Sequence, residues 1–368
     1  MEENEINIFS VPLPYDFSHI HKLTEINSEI TRSHIKYLYG CLPLNAKDRC
    51  EFEQSRVFDR RVPSLKALLP YIAFAQDNGY QFVYLLNSLN VMSYDEFRKK
   101  EDKLKRIVET MLENGVQDFR VASVMVIDYL AQNYPAVRIR CSTSQEYSSI
   151  KQYDNLIKTY PIKEIVPSWD CNRNFKLLRN LKKLYPNLDI EIMVNEGCIS
   201  GCPFRVYHSL YKGSKDKWRK NRFNNFFKQE CVRLYSNDFA LAFCKSNIIY
   251  PWQIDAYRKI GIRNFKLVGR NVDEFKTGEY LDIYRQYLLG VDDIQNILSV
   301  PVVLFNHALF KSQWLQSVKV GDVLEILPSI EFFSKKEFSC ADACGVECNY
   351  CSEKARQLEA VLKRRGNG

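Results

Sequence analysis

The chain has 368 residues, of which 46% are hydrophobic and 26% are charged, a balance typical of a globular protein with one large or two ordinary domains. No apolar run approaches the roughly 20 residues that cross a bilayer, and the acidic start Met1–Glu5 lacks the basic-then-apolar pattern of a secretory signal. These features argue against membrane insertion and predict a cytoplasmic protein. In that compartment disulfides are rare, and clustered cysteines bind metal or carry out redox chemistry.

The net charge is +8, and the basic residues concentrate in three stretches, Lys212–Arg222, Lys176–Lys183 and Lys363–Arg365. Trp218 lies within the first of them. A basic surface with interleaved aromatic residues is suited to RNA or an anionic substrate. The alternative is that these stretches are solvated loops and helix faces, since the excess charge is mild for this length.

Short apolar strands alternate with helix-like segments along most of the chain. The predicted helices have apolar residues at intervals of three and four, as helices that pack on a sheet require. They are Ser64–Gln76, Tyr94–Glu113, Phe175–Lys183 and Tyr250–Ile260. The predicted strands are Ile6–Val11, Ile35–Tyr39, Phe82–Leu86, Phe119–Ala122, Val137–Cys141, Glu164–Pro167, Ile190–Val194 and Asn264–Val268. Eight strand–helix units predict an α/β fold of the (β/α)8 TIM-like barrel type. A doubly wound sheet has the same alternation, but the first strand is not followed by a Gly-rich phosphate loop.

Polar residues follow the predicted strands, where a barrel of this type carries its functional site. Asn87 follows strand three, Ser123 strand four, Ser142–Ser144 strand five, Ser168–Asp170 strand six and Asn195–Cys198 strand seven. The pattern therefore predicts a site at the C-terminal ends of the strands, with a cysteine on that face.

A long insertion, Ile199–Asn247, separates strands seven and eight. Cys198-x3-Cys202 lets one loop offer two thiolates to one metal site, and Gly197 and Gly201 permit a tight backbone there. Cys231 and Cys244 follow farther along the insertion. The alternative is that these cysteines are buried free thiols, because Cys is among the most buried residue types.

The C-terminal region from residue 296 is predicted to form a small appendage, which divides the chain into a barrel domain, 1–295, and an appendage, 296–368. Within it we predict strands at Val302–Phe305, Val323–Ile326 and Glu331–Phe338 and a basic helix at Glu353–Arg364. Four cysteines lie between the last two elements: Cys340, Cys344, Cys348 and Cys351.

Four thiols within twelve residues fit a metal-binding knot, with a second iron–sulfur cluster or a structural zinc as its occupant. The last three also match the cysteine spacing of radical S-adenosylmethionine enzymes, but no barrel follows them. We expect this knot to hold the appendage together and the upstream cysteines to hold the reactive metal.

Three residues are the candidate catalytic groups. Glu196 lies beside Cys198 on the predicted active face, where desolvation would raise its pKa toward a value useful in acid–base chemistry; the alternative is helix capping or pairing with Arg205. Asn195 precedes it, and Arg270 is suited to clamp a substrate carboxylate or to form a structural salt bridge. Of the scattered cysteines, Cys141 is predicted to lie in the core.

Several segments together resemble the collagenase-like U32 peptidase family. They are Tyr39-Gly40-Cys41-Leu42-Pro43, Cys141-Ser142-Thr143-Ser144, Val194-Asn195-Glu196-Gly197-Cys198 with Cys202-Pro203, Cys244 with Pro251 and Asp255, and the run Gly261–Arg270. The match covers about residues 6 to 290, and Cys41 stands where the family has Ser.

The resemblance implies a TIM-like barrel with one [4Fe-4S] cluster on Cys198, Cys202, Cys231 and Cys244. The family includes RNA- and ubiquinone-hydroxylation proteins, so the first hypothesis is an oxygen-independent oxidoreductase of hydroxylase type. Its substrate would be an anionic small molecule, a modified peptide or RNA. The second is a U32-type peptidase, for which the sequence has no Ser/His/Asp or HExxH signature. The third is a non-catalytic iron–sulfur protein that binds RNA or a protein partner.

Overall fold

The computed structural model describes residues 6–55, 59–89, 92–213, 226–227, 229–230, 233, 238–268, 280–290, 320–338 and 340–366. Eight parallel strands form a closed barrel in chain order, and the first strand pairs with the eighth to close it. The strands are β1 Asn7–Pro12, β2 Ser33–Gly40, β3 Gln81–Leu86, β4 Asp118–Val121, β5 Arg138–Cys141, β6 Ile162–Ile165, β7 Asp189–Met193 and β8 Asn264–Lys266. The predicted (β/α)8 fold is confirmed, and each strand was located to within a few residues.

Helices surround the barrel, with their apolar faces against the strands. In the helix Glu101–Glu113, for example, Leu104, Ile107, Val108 and Met111 are buried at intervals of three and four. The barrel helices are α1 Phe17–Glu29, α2 Leu65–Asp77, α3 Tyr94–Arg98, α4 Glu101–Glu113, α5 Val124–Asn133, α6 Ile150–Thr159 and α7 Phe175–Leu184. The predicted helix Tyr94–Glu113 is thus two helices, which a break at Lys99 and Lys100 separates.

Between β7 and β8 the structure describes α8 Arg205–Gly213, α9 Phe239–Lys245, a 3-10 turn Pro251–Gln253 and α10 Asp255–Arg258. After β8 it describes α11 Tyr280–Leu289, α12 Val320–Ile326, α13 Glu331–Lys335, α14 Cys340–Ala343 and α15 Tyr350–Gly366. No helix among the described residues is long and apolar enough to cross a membrane.

Two strands predicted for the C-terminal region are wrong. Val323–Ile326 lies in α12, and Glu331–Phe338 contains α13. The apolar residues Val320, Leu324 and Leu327 recur at the helical intervals of three and four, and this period prevails over the β-propensity of valine and isoleucine. The basic helix predicted at Glu353–Arg364 is confirmed within α15. The strand predicted at Val302–Phe305 and the boundary at residues 295/296 lie outside the described residues.

Charged side chains fill the interior of the barrel. Arg120 on β4 donates to Glu164 on β6 over 2.5 Å and forms an ion pair with Glu191 on β7. Because β4 and β7 are not neighbours, this contact crosses the lumen. Arg140 continues the network to Glu164 at 2.5 Å and to Asp118 at 2.7 Å. Interiors of such barrels are usually packed with branched apolar side chains, so this ionic core is unusual.

Candidate functional site

The C-terminal ends of the strands carry the polar residues that the sequence predicted there. Ser123 lies two residues after the end of β4, Ser142 directly follows β5, and both residues are buried. Thr143 donates its hydroxyl to the Pro167 carbonyl over 2.7 Å, which ties the segments that follow β5 and β6 together. This face of the barrel is therefore polar and closely hydrogen-bonded.

The cysteine loop after β7 is fixed to this face by its backbone. Ile199 forms an antiparallel bridge with Ser246, and the amide of Asn247 donates to the Cys198 carbonyl over 3.0 Å. Gly201 has a φ of +69°, a conformation that a glycine adopts without strain. Cys198 and Cys202 are half-buried and not in a disulfide, and the Cys198 thiol donates to Glu196 over 3.4 Å. The carboxylate chosen from the sequence thus lies against the cysteine loop.

A buried guanidinium anchors the same loop. Arg205, the first residue of α8, forms an ion pair of 2.9 Å with Asp170 and donates to the Ile199 carbonyl over 2.5 Å. Burial acts to lower the pKa of Arg205, but the charges of Asp170 and Cys198 outweigh burial and raise it. Asp170 also accepts from the Gly201 amide at 2.9 Å. The pairing of Glu196 with Arg205 considered from the sequence is wrong, because Arg205 is paired with Asp170.

Glu146 lies next to this array and was not identified from the sequence. Its φ of +54° is the only positive φ of a non-glycine residue in the described part of the chain. One carboxylate oxygen accepts from Ser168 at 2.6 Å and lies 3.7 Å from Arg205, whereas the other is buried with no hydrogen-bond partner. Burial raises the pKa of Glu146. Strained backbone together with an unpartnered carboxylate oxygen is typical of functional sites.

Asn195 has a structural role. Its side-chain amide donates to the Val268 carbonyl at 2.9 Å and accepts from the Val268 amide at 2.7 Å. Both polar groups of the side chain therefore join the ends of β7 and β8. Arg270 and Cys231 lie outside the described residues.

The remaining cysteines occupy two environments. Cys141 is buried in the hydrophobic core, as predicted, and burial raises the pKa of its thiol. Cys41 is also buried in that core. Cys244 lies in the last turn of α9, which packs against α15, and burial raises the pKa of its thiol to about 12.

The C-terminal cysteines form a compact knot. A parallel bridge joins the backbones of Cys344 and Cys348, and the Gly345 amide donates to the Cys348 carbonyl at 3.0 Å. Cys340 and Cys351 lie at the start of α14 and α15. Among the residues that the structure describes, no three His, Cys, Asp or Glu side chains form a group able to hold a metal ion.

Comparisons with known proteins find one similar curated protein and several distant structures. No family model matches the chain. The uncharacterized protease MJ1657 of Methanocaldococcus jannaschii is 20% identical over 368 residues, which cover 96% of this chain and 99% of that protein. The U32 peptidase Mk0906 is 10% identical with a TM-score of 0.44, over 72% of this chain and 92% of its own. An uncharacterized B. cereus protein is 9% identical with a TM-score of 0.34, over 78% of this chain and 65% of its own. These structural likenesses are slight and do not extend to function.

Proposed function

We propose that this chain, which resembles the collagenase-like U32 peptidase family and is similar to the uncharacterized protease MJ1657, is an iron–sulfur-dependent oxidoreductase that works without oxygen. The observation that carries the proposal is the Cys198–Cys202 loop, which presents two thiols that are not in a disulfide on the C-terminal face of a (β/α)8 barrel. Enzymes of this fold carry their active sites on that face. We propose a reaction of hydroxylase type on an anionic small molecule, a modified peptide or RNA.

The chemistry of the donors fits an iron–sulfur cluster. Cys198 and Cys202 supply soft thiol ligands, and the buried guanidinium of Arg205 interacts electrostatically with Cys198. The resemblance adds Cys231 and Cys244 as further ligands. When bound, the cluster would relay electrons or activate an oxygen donor other than O2.

Side chains around this loop would transfer protons and hold the loop in position. Glu196 is within hydrogen-bonding distance of the Cys198 thiol and is positioned to accept its proton. Asp170 and Arg205 hold the loop in shape, and Asn195 fixes the ends of β7 and β8 beneath it. Arg270, which follows β8 in the sequence, stays our candidate for orienting an anionic substrate.

The experiment that tests this proposal compares cells that lack the protein with cells that express it or its Cys198→Ala/Cys202→Ala variant, all grown without oxygen. Mass spectrometry of the RNA, peptide and small-molecule fractions should find a species that has gained one oxygen atom only with the unaltered protein. If cells whose protein carries its cluster contain no such species in any fraction, that absence contradicts hydroxylase activity.

A peptidase is the second candidate, because the names of MJ1657 and Mk0906 describe a protease and a peptidase. The same cell fractions test it. New peptide fragments, and no oxygenated product, would favour peptide cleavage over hydroxylation. If neither product is found, a non-catalytic iron–sulfur protein that binds RNA or a partner becomes the better description.

A further inference from the structure

A buried guanidinium without a carboxylate partner lies between the barrel and the C-terminal helices. Arg173 precedes α7 and is 9% exposed. It donates to the carbonyls of Cys244 at 3.1 Å and Ile248 at 2.8 Å, and its Nε has no acceptor. None of the ion pairs among the described residues includes Arg173, although most buried arginines are paired.

A second buried cation lies nearby. Lys336 is 8% exposed, and its ammonium donates to the Cys340 thiol over 2.5 Å. No carboxylate in the described part of the chain forms an ion pair with it. Arg173 and Lys336 both contact the ring of Phe333, at 5.0 Å and 5.2 Å from its centroid. The structure therefore buries two positive charges on one aromatic ring.

Thiols from two distant parts of the sequence surround these charges. Cys244 lies at the end of α9, which packs against α15, and Cys351 lies in the first turn of α15. Tyr350, just before Cys351, stacks on Phe332 at 4.0 Å and contacts Phe333 at 5.3 Å. Cys244 therefore belongs in space to the C-terminal knot, although its backbone lies beside the Cys198 loop.

Buried charges without counter-charges are strongly unfavourable, so two cations on one ring favour an anion beside them. Neutral thiols do not supply one, whereas thiolates bound to a metal do. We propose that Cys244, Cys351 and two of the other C-terminal cysteines supply the four thiolates of one metal site, whose negative charge compensates Arg173 and Lys336. The C-terminal cysteines meant here are Cys340, Cys344, Cys348 and Cys351.

Metal binding would draw these thiols together, since metal sites and the surrounding fold commonly form in one step. The proposal removes Cys244 from the ligand set that the resemblance implies for the upstream cluster. It does not depend on the reaction proposed above, and it holds whether the occupant is zinc or an iron–sulfur cluster.

The first test uses the full-length chain with Cys198→Ser and Cys202→Ser, purified without oxygen and supplied with zinc or with iron and sulfide. This background separates the C-terminal site from the upstream loop. We expect one metal site, in which zinc without labile sulfide identifies a zinc site and equal iron and sulfide identify a cluster. Addition of Cys244→Ser should abolish stoichiometric binding, as Cys351→Ser does, whereas Cys141→Ser in the core should not. Full metal content in the folded Cys244→Ser protein, or no metal in the folded background protein, would overturn the proposal.

The second test measures how much the two buried cations contribute to metal affinity, without removing a metal ligand. Arg173→Met should weaken metal affinity on the order of 10-fold, the lower range for a residue that supports metal ligands. It should also lower the melting temperature of the metal-bound protein more than that of the metal-free protein, which loses only the two hydrogen bonds to the Cys244 and Ile248 carbonyls. Arg179→Met is the matched control, because Arg179 on α7 contacts the Ser334 carbonyl and is already paired with Glu337. If Arg173→Met lowers the stability of the metal-free and metal-bound proteins equally, Arg173 has only a structural role and the proposal fails. If Arg173→Met does not fold, Lys336→Met allows the same comparison.

Discussion

The carboxylate of Glu164 lies 2.5 Å from the guanidinium of Arg120 inside the barrel, where each side chain is 1% exposed. Glu191, on the strand next to that of Glu164, binds the same guanidinium across the lumen, so two carboxylates share one cation. Burial raises the pKa of Glu164 to about 7, although the neighbouring Arg140 acts to lower it. Burial acts in the same direction on Glu191, but Arg120 and Lys266 outweigh it and lower the pKa of that carboxyl.

These shifts predict how stability changes with pH. The folded protein binds a proton at Glu164 that an unfolded glutamate releases near its ordinary pKa of 4.5. Its stabilising contribution is complete below pH 4.5 and is lost as the pH rises through about 7, at up to about 1.4 kcal/mol per pH unit. Glu191 has the opposite dependence, and its contribution is lost only below pH 4.5.

Glu164→Gln removes this titration and keeps the side-chain shape. We expect the free energy of unfolding of the unaltered protein, minus that of the variant, to fall by about 1–3 kcal/mol between pH 5 and pH 8. Denaturant titrations at the two pH values measure the difference, with Glu359→Gln on the exposed face of α15 as the control. A difference that does not vary with pH would show that Glu164 stays ionised.

Replacement of Glu53 by alanine should greatly lower the free energy of unfolding. Its carboxylate is buried and accepts from the amides of Leu42 at 3.0 Å and Cys50 at 2.7 Å and from the Tyr84 hydroxyl at 2.7 Å. Each donor left buried and unpaired costs about 1–3 kcal/mol, so Glu53→Ala should cost about 3 kcal/mol or more. Tyr84→Phe removes one of the three bonds and should cost about 1 kcal/mol. Equal costs in denaturant unfolding would show that the carboxylate does not organise the segment after β2.

The barrel was predictable from the sequence because its strands are buried on both faces and so form apolar runs between amphipathic helices. Ile190–Val194, for example, lies within two residues of the observed β7. The charged interior was missed, although single charged residues such as Arg120, Glu164 and Glu191 interrupt otherwise apolar strands. That pattern is the signal that identifies them.

The candidate site was less predictable, because its contacts join residues far apart in the chain. The sequence correctly placed Glu196 beside Cys198, but it could not show that Asp170 forms an ion pair with Arg205. The resemblance groups Cys244 with Cys198, and no sequence signal indicated that packing of α9 on α15 also brings Cys244 close to Cys351. Glu146 had no sequence signal at all, because its positive φ depends on the turn after β5.

Cys198→Ala combined with Cys202→Ala should remove the upstream cluster of the anaerobically purified protein. Both thiols are half-buried and outside any disulfide on one loop of the C-terminal face, whereas Cys141 is buried in the core. We therefore expect the double variant to lose the iron and labile sulfide of that cluster and Cys141→Ala to retain them. Metal bound by the C-terminal cysteines is measured separately, as the metal content that the Cys351→Ser protein loses. Unchanged iron in the double variant would mean that other thiols hold it.

Asp170→Ala should loosen the cysteine loop while the barrel stays folded. The substitution removes the 2.9 Å ion pair with Arg205 and the 2.9 Å hydrogen bond from the Gly201 amide. Hydrogen bonds to charged groups contribute about 1.5–3 kcal/mol each. We therefore expect about 10- to 100-fold faster hydrogen exchange at the Gly201 amide, since about 1.4 kcal/mol corresponds to a factor of ten. Asp154→Ala on α6, which removes an ion pair with Lys158 at the surface, is the matched control and should leave the loop unchanged. Amide exchange followed by mass spectrometry measures both variants. Equal exchange rates at the Gly201 amide in the two variants would show that Arg205 and Asp170 do not hold the loop. Faster exchange throughout the strands of the Asp170→Ala protein would show that Asp170 stabilises the whole barrel instead.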